Sequence, residues 1–124
     1  MPHRFEELIA WQRARSLAAS AATAVRTSRL RDDYRLADQL LRATRSVPAN
    51  IAEGFERNAR REFHRFLGIA KGSAGEARAH LYTAYDASLI SRESFESLLG
   101  QCEEVSRLIA GLRRTVKTAR KPPT

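Results

Sequence analysis

Apolar residues recur every three or four positions along almost the whole chain, and no segment alternates apolar and polar residues as a strand would. The pattern is most regular near the end of the sequence, in Leu98, Cys102, Val105, Ile109, Leu112 and Val116. This heptad spacing places all six side chains on one side of an α-helix. The sequence therefore predicts an all-α protein.

The periodic segments predict four helices and a short C-terminal tail, over residues 5–27, 34–56, 59–89, 92–118 and 119–124. Asp32 or Asp33 suits the N-cap of the second helix, and Ser91 suits that of the fourth. Pro48 lies inside the second helix, where a proline is expected to produce a kink. Because the links are short, we expect an antiparallel up-and-down four-helix bundle. The 124 residues correspond to a single domain.

Two features of the second and third helices predict self-association. The apolar arc of the second helix covers about 180° of an ideal helical wheel, which is wider than a surface helix needs. The third helix carries a line of small residues opposite its core stripe, namely Gly68, Gly72, Gly75 and Ala79. Each glycine in a helix interior costs about 1 kcal/mol relative to alanine, and close approach of another backbone is the usual compensation. The alternative is that one glycine simply breaks the helix.

The formal net charge is +8, which favours attraction to anions. Heavy use of arginine is also what a GC-rich genome would produce. The end of the sequence is a purely basic block, formed by Arg113, Arg114, Lys117, Arg120 and Lys121. Other arginines lie on the polar side of the second helix or at the turn into the third: Arg35, Arg42, Arg45, Arg57, Arg60 and Arg61. The planar fork of arginine suits phosphate, whereas the alternative is a solvated face paired with Asp38, Glu56 and Glu62.

The residues that catalysis or metal binding would need are not arranged for it. The signatures of phosphate loops, dinucleotide sites and zinc hydrolases are missing, and no Glu-x-x-His pair occurs. His64 and His80 are too far apart on one helix to share a metal. Cys102, the lone cysteine, falls on the apolar seam, and a single cysteine suits a reducing compartment. We therefore expect no enzyme, no metal, no cofactor and no membrane span, and a cytoplasmic location.

Two ordered motifs carry a resemblance to a known family. They are Ser46-Val-Pro-Ala-Asn-Ile-Ala-Glu-Gly54 and Phe66-Leu-x-Ile-Ala-x-Gly-Ser-x-x-Glu76. Together with Phe5-Glu-Glu-Leu-x-x-Trp11 and Asp38-Gln-Leu-Leu-Arg-Ala43, they resemble the four-helix-bundle family of the 23S rRNA intervening-sequence proteins. The resemblance spans residues 5–112.

The resemblance implies a small cytosolic bundle that assembles into a ring-like homo-oligomer, with a pentamer as the expected number. Some members of the family are encoded inside intervening sequences of large-subunit ribosomal RNA genes. A more distant branch, the accessory proteins of diversity-generating retroelements, binds a reverse transcriptase and nucleic acid. Most members have no established activity.

The motif residues also predict a polar cluster between the second and third helices: Asn50, Glu53, Gly54, Lys71, Gly72, Ser73 and Glu76. We interpret this cluster as a structural network that holds the two helices in register, because a fully paired polar network rigidifies a fold. A ligand or RNA pocket is the alternative. Glu53 precedes Arg57 by four positions, which is the favourable order for an ion pair on a helix.

The leading hypothesis is a non-enzymatic, homo-oligomeric bundle that binds structured RNA through its phosphates, or an RNA-linked adaptor for a nucleic-acid-handling protein. The residues assigned to nucleic-acid binding are Arg42, Arg45, Arg57, Arg60, Arg61, Arg113, Arg114 and Lys117. The alternative is a protein–protein interaction scaffold whose positive charge is incidental. The aromatic residues that could stack on bases are Trp11, Tyr34, Tyr82 and Tyr85. Their presence distinguishes RNA binding from the scaffold function only weakly.

Overall fold

The computed structural model describes residues 2–118, except for the side chain of Thr118. This part of the chain forms four helices: α1 Ile9–Arg26, α2 Tyr34–Glu56, α3 Arg60–Asp86 and α4 Arg92–Thr118. Short 3-10 turns, Phe5–Glu7 and Arg29–Asp32, precede α1 and α2, and no strand occurs among the described residues. The all-α prediction is confirmed. The predicted tail 119–124, with Arg120 and Lys121, lies outside the described residues.

The helices pack in the cyclic order of a four-helix bundle. α1 contacts α2 and α4, and α3 contacts the other sides of α2 and α4. The core between them is built mainly from aliphatic side chains, of which the largest fully buried ones include Leu17, Leu40, Ile51, Leu67, Leu81 and Ile109. The apolar seam of α4 faces this core, and only Leu112 of its six members is partly exposed. The helical periodicity therefore identified the buried faces correctly.

Side chains cap two of the helices as their sequence predicts. The Asp33 carboxylate Oδ1 accepts a hydrogen bond from the backbone N–H of Leu36 at 3.1 Å, at the start of α2. The Ser91 hydroxyl accepts one from the backbone N–H of Ser94 at 3.0 Å, at the start of α4. Each cap satisfies a backbone donor that the first helical turn leaves without a partner.

Two predicted helix boundaries differ from the structure by more than one residue. The first helix does not begin at residue 5, because Leu8 adopts an extended conformation between the 3-10 turn and α1. The third helix ends at Asp86 rather than at residue 89, because Ser88 enters the left-handed region with φ 60°. The Leu89 N–H then donates to the Ala84 carbonyl at 2.9 Å, which closes the helix in a Schellman-type turn. Serine seldom adopts this conformation, so the sequence contained little warning of it.

The second and third helices approach each other closely at Gly54. A Cβ atom at this buried position would lie 2.6 Å from the Cβ of Phe66 and 3.2 Å from Cδ1 of Phe63. α2 continues through Pro48 to reach this contact. In the described part of the chain, no helix combines the length and the apolar character that a membrane span requires.

Candidate nucleic-acid interface

A groove between α3 and α4 gathers most of the basic residues that the sequence marks as candidates. It consists of two adjoining cavities, with volumes of about 450 and 330 Å³, that share His64 and Lys117. We call this the basic groove, and its titratable lining residues are Arg60, Arg61, His64, Lys71, Arg113, Arg114 and Lys117. The remaining lining residues are Ala110 and Val116, so no carboxylate occurs among the described residues that line it.

The spacing of these residues along two helices produces the groove. On α3, Arg60, His64 and Lys71 follow one another at four and seven positions, which keeps them on one face of the helix. On α4, Arg113, Arg114 and Lys117 lie within two turns. Since α3 and α4 pack side by side, the two basic faces meet at the groove. Arg60 and Arg61 are therefore neighbours of Arg113, Arg114 and Lys117, which are distant from them in the sequence.

Arg113 is the residue that ties the two walls of the groove together. Its Nε donates a hydrogen bond to the backbone carbonyl of His64 at 3.3 Å, and its Nη2 lies 3.5 Å from the His64 ring Nδ1. The guanidinium occupies the space over Gly68, where a Cβ atom would lie 3.0 Å from Nη2. A side chain at position 68 would therefore displace Arg113.

The surroundings of the histidine in the groove disfavour its protonated form. Burial lowers the pKa of His64 below its usual value, and the positive charges of Arg113 and Lys117 lower it further. A neutral imidazole can accept a hydrogen bond from Arg113 through Nδ1. An anion in the groove would offset this positive environment and would favour the protonated ring.

Three of the candidate arginines lie outside the groove. Arg42 and Arg45 belong to α2, and the Nε of Arg42 pairs with Asp38 Oδ2 at 2.9 Å. Arg57 pairs with Glu53 Oε2 at 3.0 Å and lies 3.8 Å from Glu62. These pairs are solvent-exposed, so each contributes at most about 1 kcal/mol to stability. Of the expected carboxylate partners, Asp38 and Glu62 meet arginines and Glu53 forms its predicted pair with Arg57, whereas Glu56 pairs with none of the described arginines.

The polar cluster predicted between α2 and α3 is smaller than expected. The Asn50 amide donates to the Ser46 carbonyl at 2.8 Å and to the Ser46 hydroxyl at 2.9 Å. The Ser46 and Ser73 hydroxyls are 2.8 Å apart, and this contact links the two helices. The predicted cluster lacks Ser46, although its spacing of four from Asn50 places both residues on one helical face.

The other predicted members of the cluster have different partners. Glu53 pairs with Arg57, and Glu76 Oε2 lies 3.3 Å from His80 Nε2. Lys71 lines the basic groove on the side of α3 that faces α4. The prediction of one network containing all of them is therefore wrong, because Glu53 pairs with Arg57 at the end of α2, whereas Lys71 and Glu76 have separate surroundings on α3.

The small residues of α3 lie on one continuous helix, but their surroundings differ. α3 runs unbroken through Gly68, Gly72 and Gly75, so no glycine ends it. A Cβ atom at Gly72 or Gly75 would meet nothing within 4 Å, in contrast to Gly68. Exposed apolar side chains also lie on α3, with Ile69 42% and Tyr82 47% exposed. In the single chain, this part of α3 has room for another molecule.

Cys102 is buried in the core of the bundle. Burial raises the pKa of the Cys102 thiol to about 12, so the interpretation of this residue as a core side chain is confirmed. No group of three or more metal-ligating side chains lies together within residues 2–118. His64 and Lys71 line the basic groove but are not among the residues predicted to bind nucleic acid. The spacing of His64, three from Arg61 and four from Arg60, was the available signal.

Comparison with known proteins agrees with the resemblance that the motifs indicate. Residues 6–111 match the family model of the 23S rRNA-intervening sequence protein. No curated protein matches the sequence. The chain is similar to the crystal structure of a protein with unknown function from the S23 ribosomal protein family of Bacteroides thetaiotaomicron VPI-5482, with a TM-score of 0.78 and 23% identity. That similarity covers 86% of this chain and 99% of the other, and it supports the fold. On the family match, the chain belongs to the 23S rRNA-intervening sequence protein family.

Proposed function

We propose that this protein binds structured RNA through its phosphates, as a homo-oligomer and without catalysing a reaction. The observation that carries the proposal is the lining of the basic groove, which holds six cationic side chains and one histidine but no carboxylate among the described residues. Neutralisation of phosphates by lysine and arginine, with release of counterions, supplies most of the affinity in binding of this kind. The groove provides such cations in one place.

The shape of the basic groove suits a nucleic-acid backbone. From Arg60 to Lys71, α3 rises by about 16 Å at about 1.5 Å per residue, which is long enough for several phosphates of one strand. Arginine donates two parallel hydrogen bonds to a phosphate, and lysine acts as a mobile point charge. Both contact the backbone and carry little information about base sequence. We therefore expect RNA to be selected by its shape and charge.

Self-association is part of the proposal because a single chain leaves α3 partly uncovered. The open space at Gly72 and Gly75 would allow the backbone of a second copy to approach closely, with Ile69 and Tyr82 at the contact. A ring would repeat the +8 charge of each chain around its circumference. The family resemblance favours a pentamer, and we place the protein in the cytoplasm, where RNA and a free cysteine are both expected.

The same exposed face of α3 supports the second candidate function, a scaffold for a protein partner. Ile69 and Tyr82 are large exposed hydrophobic side chains, and such residues often mark protein contacts. In that case the positive charge would be incidental. Affinity for RNA would then depend on total charge and not on the basic groove.

The two functions are separated by a salt titration on two matched triple variants. The groove variant carries Arg61→Gln, Lys71→Gln and Lys117→Gln, all at exposed positions of the basic groove. The control variant removes the same charge from α2, through Arg35→Gln, Arg42→Gln and Arg45→Gln. Binding of a structured RNA is measured by fluorescence anisotropy over a range of salt concentrations, with helix content checked by circular dichroism.

The proposed function predicts that only the groove variant loses its steep salt dependence. The slope of log affinity against log salt should become shallower by about 2 to 3 in the groove variant, since each phosphate contact contributes about 0.7 to 0.9. The control variant should keep nearly the slope of the unmodified protein. Equal losses in the two variants would indicate a general charge effect, and no loss in either would remove the RNA function in favour of the scaffold.

A further inference from the structure

A second cavity adjoins the basic groove at the end of the bundle where α2 turns into α3. We call it the end pocket, and the side chains that define it are His3, Phe55, Asn58, Arg60, Phe63 and Val116. Its volume of about 440 Å³ falls within the roughly 300–1,000 Å³ of small-ligand sites. Arg60 and Val116 line both the end pocket and the basic groove. A ligand could therefore extend from one into the other without leaving the surface.

Two phenylalanine rings form the apolar wall of the end pocket. Phe63 is almost fully buried, at 7% exposure, and packs close to Gly54. The Phe55 ring is half-buried and meets Phe63 edge to face, with ring centres 5.8 Å apart and planes at 90°. Phe63 thus supports Phe55, while part of the Phe55 side chain remains open to solvent. An accessible aromatic ring held by a buried one is a stacking platform.

Polar groups at the rim of the end pocket complement the aromatic wall. Asn58 is exposed in the turn between α2 and α3, where its backbone adopts φ 54°. Its side-chain amide carries both a donor and an acceptor, as the edge of a nucleobase does. Arg60, two residues further on, is positioned at the boundary with the basic groove. The end pocket therefore combines an aromatic ring with an amide, and Arg60 joins it to the cations of the basic groove.

We infer that the end pocket receives one unpaired nucleobase of an RNA whose phosphates lie in the basic groove. This inference rests on the proposed function and narrows its ligand to RNA with a loop, bulge or single-stranded end. Proteins that bind single strands combine aromatic platforms for the bases with a positively charged path for the backbone. A base inside a continuous duplex is stacked on both faces and cannot enter such a pocket.

The inference is tested with ligands that share charge but differ in their bases. An oligouridine, an abasic oligonucleotide of the same length and heparin are compared on the unmodified protein and on Phe55→Leu. Leucine keeps an apolar side chain at the site but removes the ring. We expect the unmodified protein to bind oligouridine about tenfold more tightly than the abasic strand, as loss of one stacked base implies. Phe55→Leu should remove this difference and leave heparin affinity unchanged.

The possible outcomes separate the end pocket from the proposed function. Equal binding of oligouridine and the abasic strand by the unmodified protein overturns the inference without requiring any variant. A parallel loss for all three ligands in Phe55→Leu also overturns it, because only folding or the groove would then be affected. The groove variant with Arg61→Gln, Lys71→Gln and Lys117→Gln should weaken all three ligands. If it weakens none of them, the proposed function itself fails, whatever happens at Phe55.

Discussion

Gly68 and the pair Gly72 and Gly75 lie on the same line along α3, but their surroundings differ. At Gly68 the guanidinium of Arg113 fills the space where a side chain would be, with Nη2 3.0 Å from the position of a Cβ atom. At Gly72 and Gly75 nothing lies within 4 Å of that position. A uniform sequence pattern therefore contains two kinds of site. At Gly68 a side chain of the same chain fills the space, whereas at Gly72 and Gly75 no described atom fills it.

The difference determines which contact offsets the energetic cost of each glycine. A glycine in a helix interior costs about 1 kcal/mol relative to alanine. At Gly68 the hydrogen bond from Arg113 to the His64 carbonyl, at 3.3 Å, offsets part of that cost. Among the described residues, no comparable contact exists at Gly72 or Gly75. Contact with a second copy is the compensation that the proposed homo-oligomer would supply.

The largest expected effect is the loss of assembly when the open site is filled. Gly72→Leu places a large side chain where a second backbone is proposed to approach, so we expect the oligomer to dissociate while helix content is retained. Gly100→Leu is the matched control, because Gly100 is an exposed α4 glycine that also has nothing within 4 Å. Sedimentation velocity measures both. A Gly72→Leu protein with the mass of the unmodified oligomer would contradict the prediction, as would an unmodified protein that is monomeric.

A third environment, the buried contact at Gly54, predicts a loss of stability. Gly54→Ala would place a Cβ atom 2.6 Å from the Cβ of Phe66, so α2 and α3 would have to move apart. We expect the free energy of unfolding to fall by about 1–3 kcal/mol, as is usual for overpacking. Gly100→Ala, which has open space, should instead gain up to about 1 kcal/mol. Urea denaturation compares the two, and equal stability changes would refute the close approach.

At Gly68, where Arg113 fills the space, we expect a substitution to affect RNA binding but not assembly. Gly68→Leu should push the Arg113 guanidinium away from His64 and out of its position in the basic groove. We expect RNA affinity to fall by about tenfold, corresponding to one charge-assisted hydrogen bond, while the oligomer remains intact. Gly100→Leu again serves as the control. If Gly68→Leu dissociates the oligomer as Gly72→Leu does, the distinction between the two sites is wrong.

The sequence was sufficient to predict the helices but not the side-chain contacts between different helices. Helical spacing identified four helices and their buried faces, and the capping residues Asp33 and Ser91 followed from local chemistry. The contact of Arg113 with Gly68 depends on how α4 is placed against α3, which no local pattern specifies. For this reason the sequence predicts the glycine line as one surface.

For the candidate site too, the sequence identifies single residues but not which of them come together in the fold. The basic residues are recognisable individually, but their grouping into one groove joins positions near 60 with positions near 115. Phe55 is absent from the aromatic residues predicted to be available for stacking, because its partial exposure depends on how α2 turns into α3. Lys71 is assigned to the polar cluster because its sequence neighbours Gly72 and Ser73 belong to the motif. Only the packing of α3 against α4 places it in the groove.

The smallest expected effect is a pH dependence of stability and RNA affinity, which arises from His64 beside Gly68 and Arg113. His64 is surrounded by cations on its own helix and on α4, namely Arg60, Arg61, Lys71, Arg113, Arg114 and Lys117. Burial, Arg113 and Lys117 hold the pKa of His64 below 6.5 in the free protein. Because the unfolded chain binds this proton more readily, His64 should lower the stability of the free protein as pH falls below about 6.5.

RNA bound in the basic groove should reverse this preference, which predicts that RNA affinity depends on pH. Phosphates beside His64 favour the imidazolium form, so binding should take up a proton and affinity should rise as pH falls from about 7.5 to 5.5. Uptake of one proton changes affinity by at most about tenfold for each pH unit. His64→Gln keeps a polar side chain but cannot titrate, so its affinity should vary less with pH than that of the unmodified protein. His80→Gln is the control, because His80 faces Glu76 away from the groove. Identical pH profiles for His64→Gln and the unmodified protein would show that the phosphates do not lie beside His64.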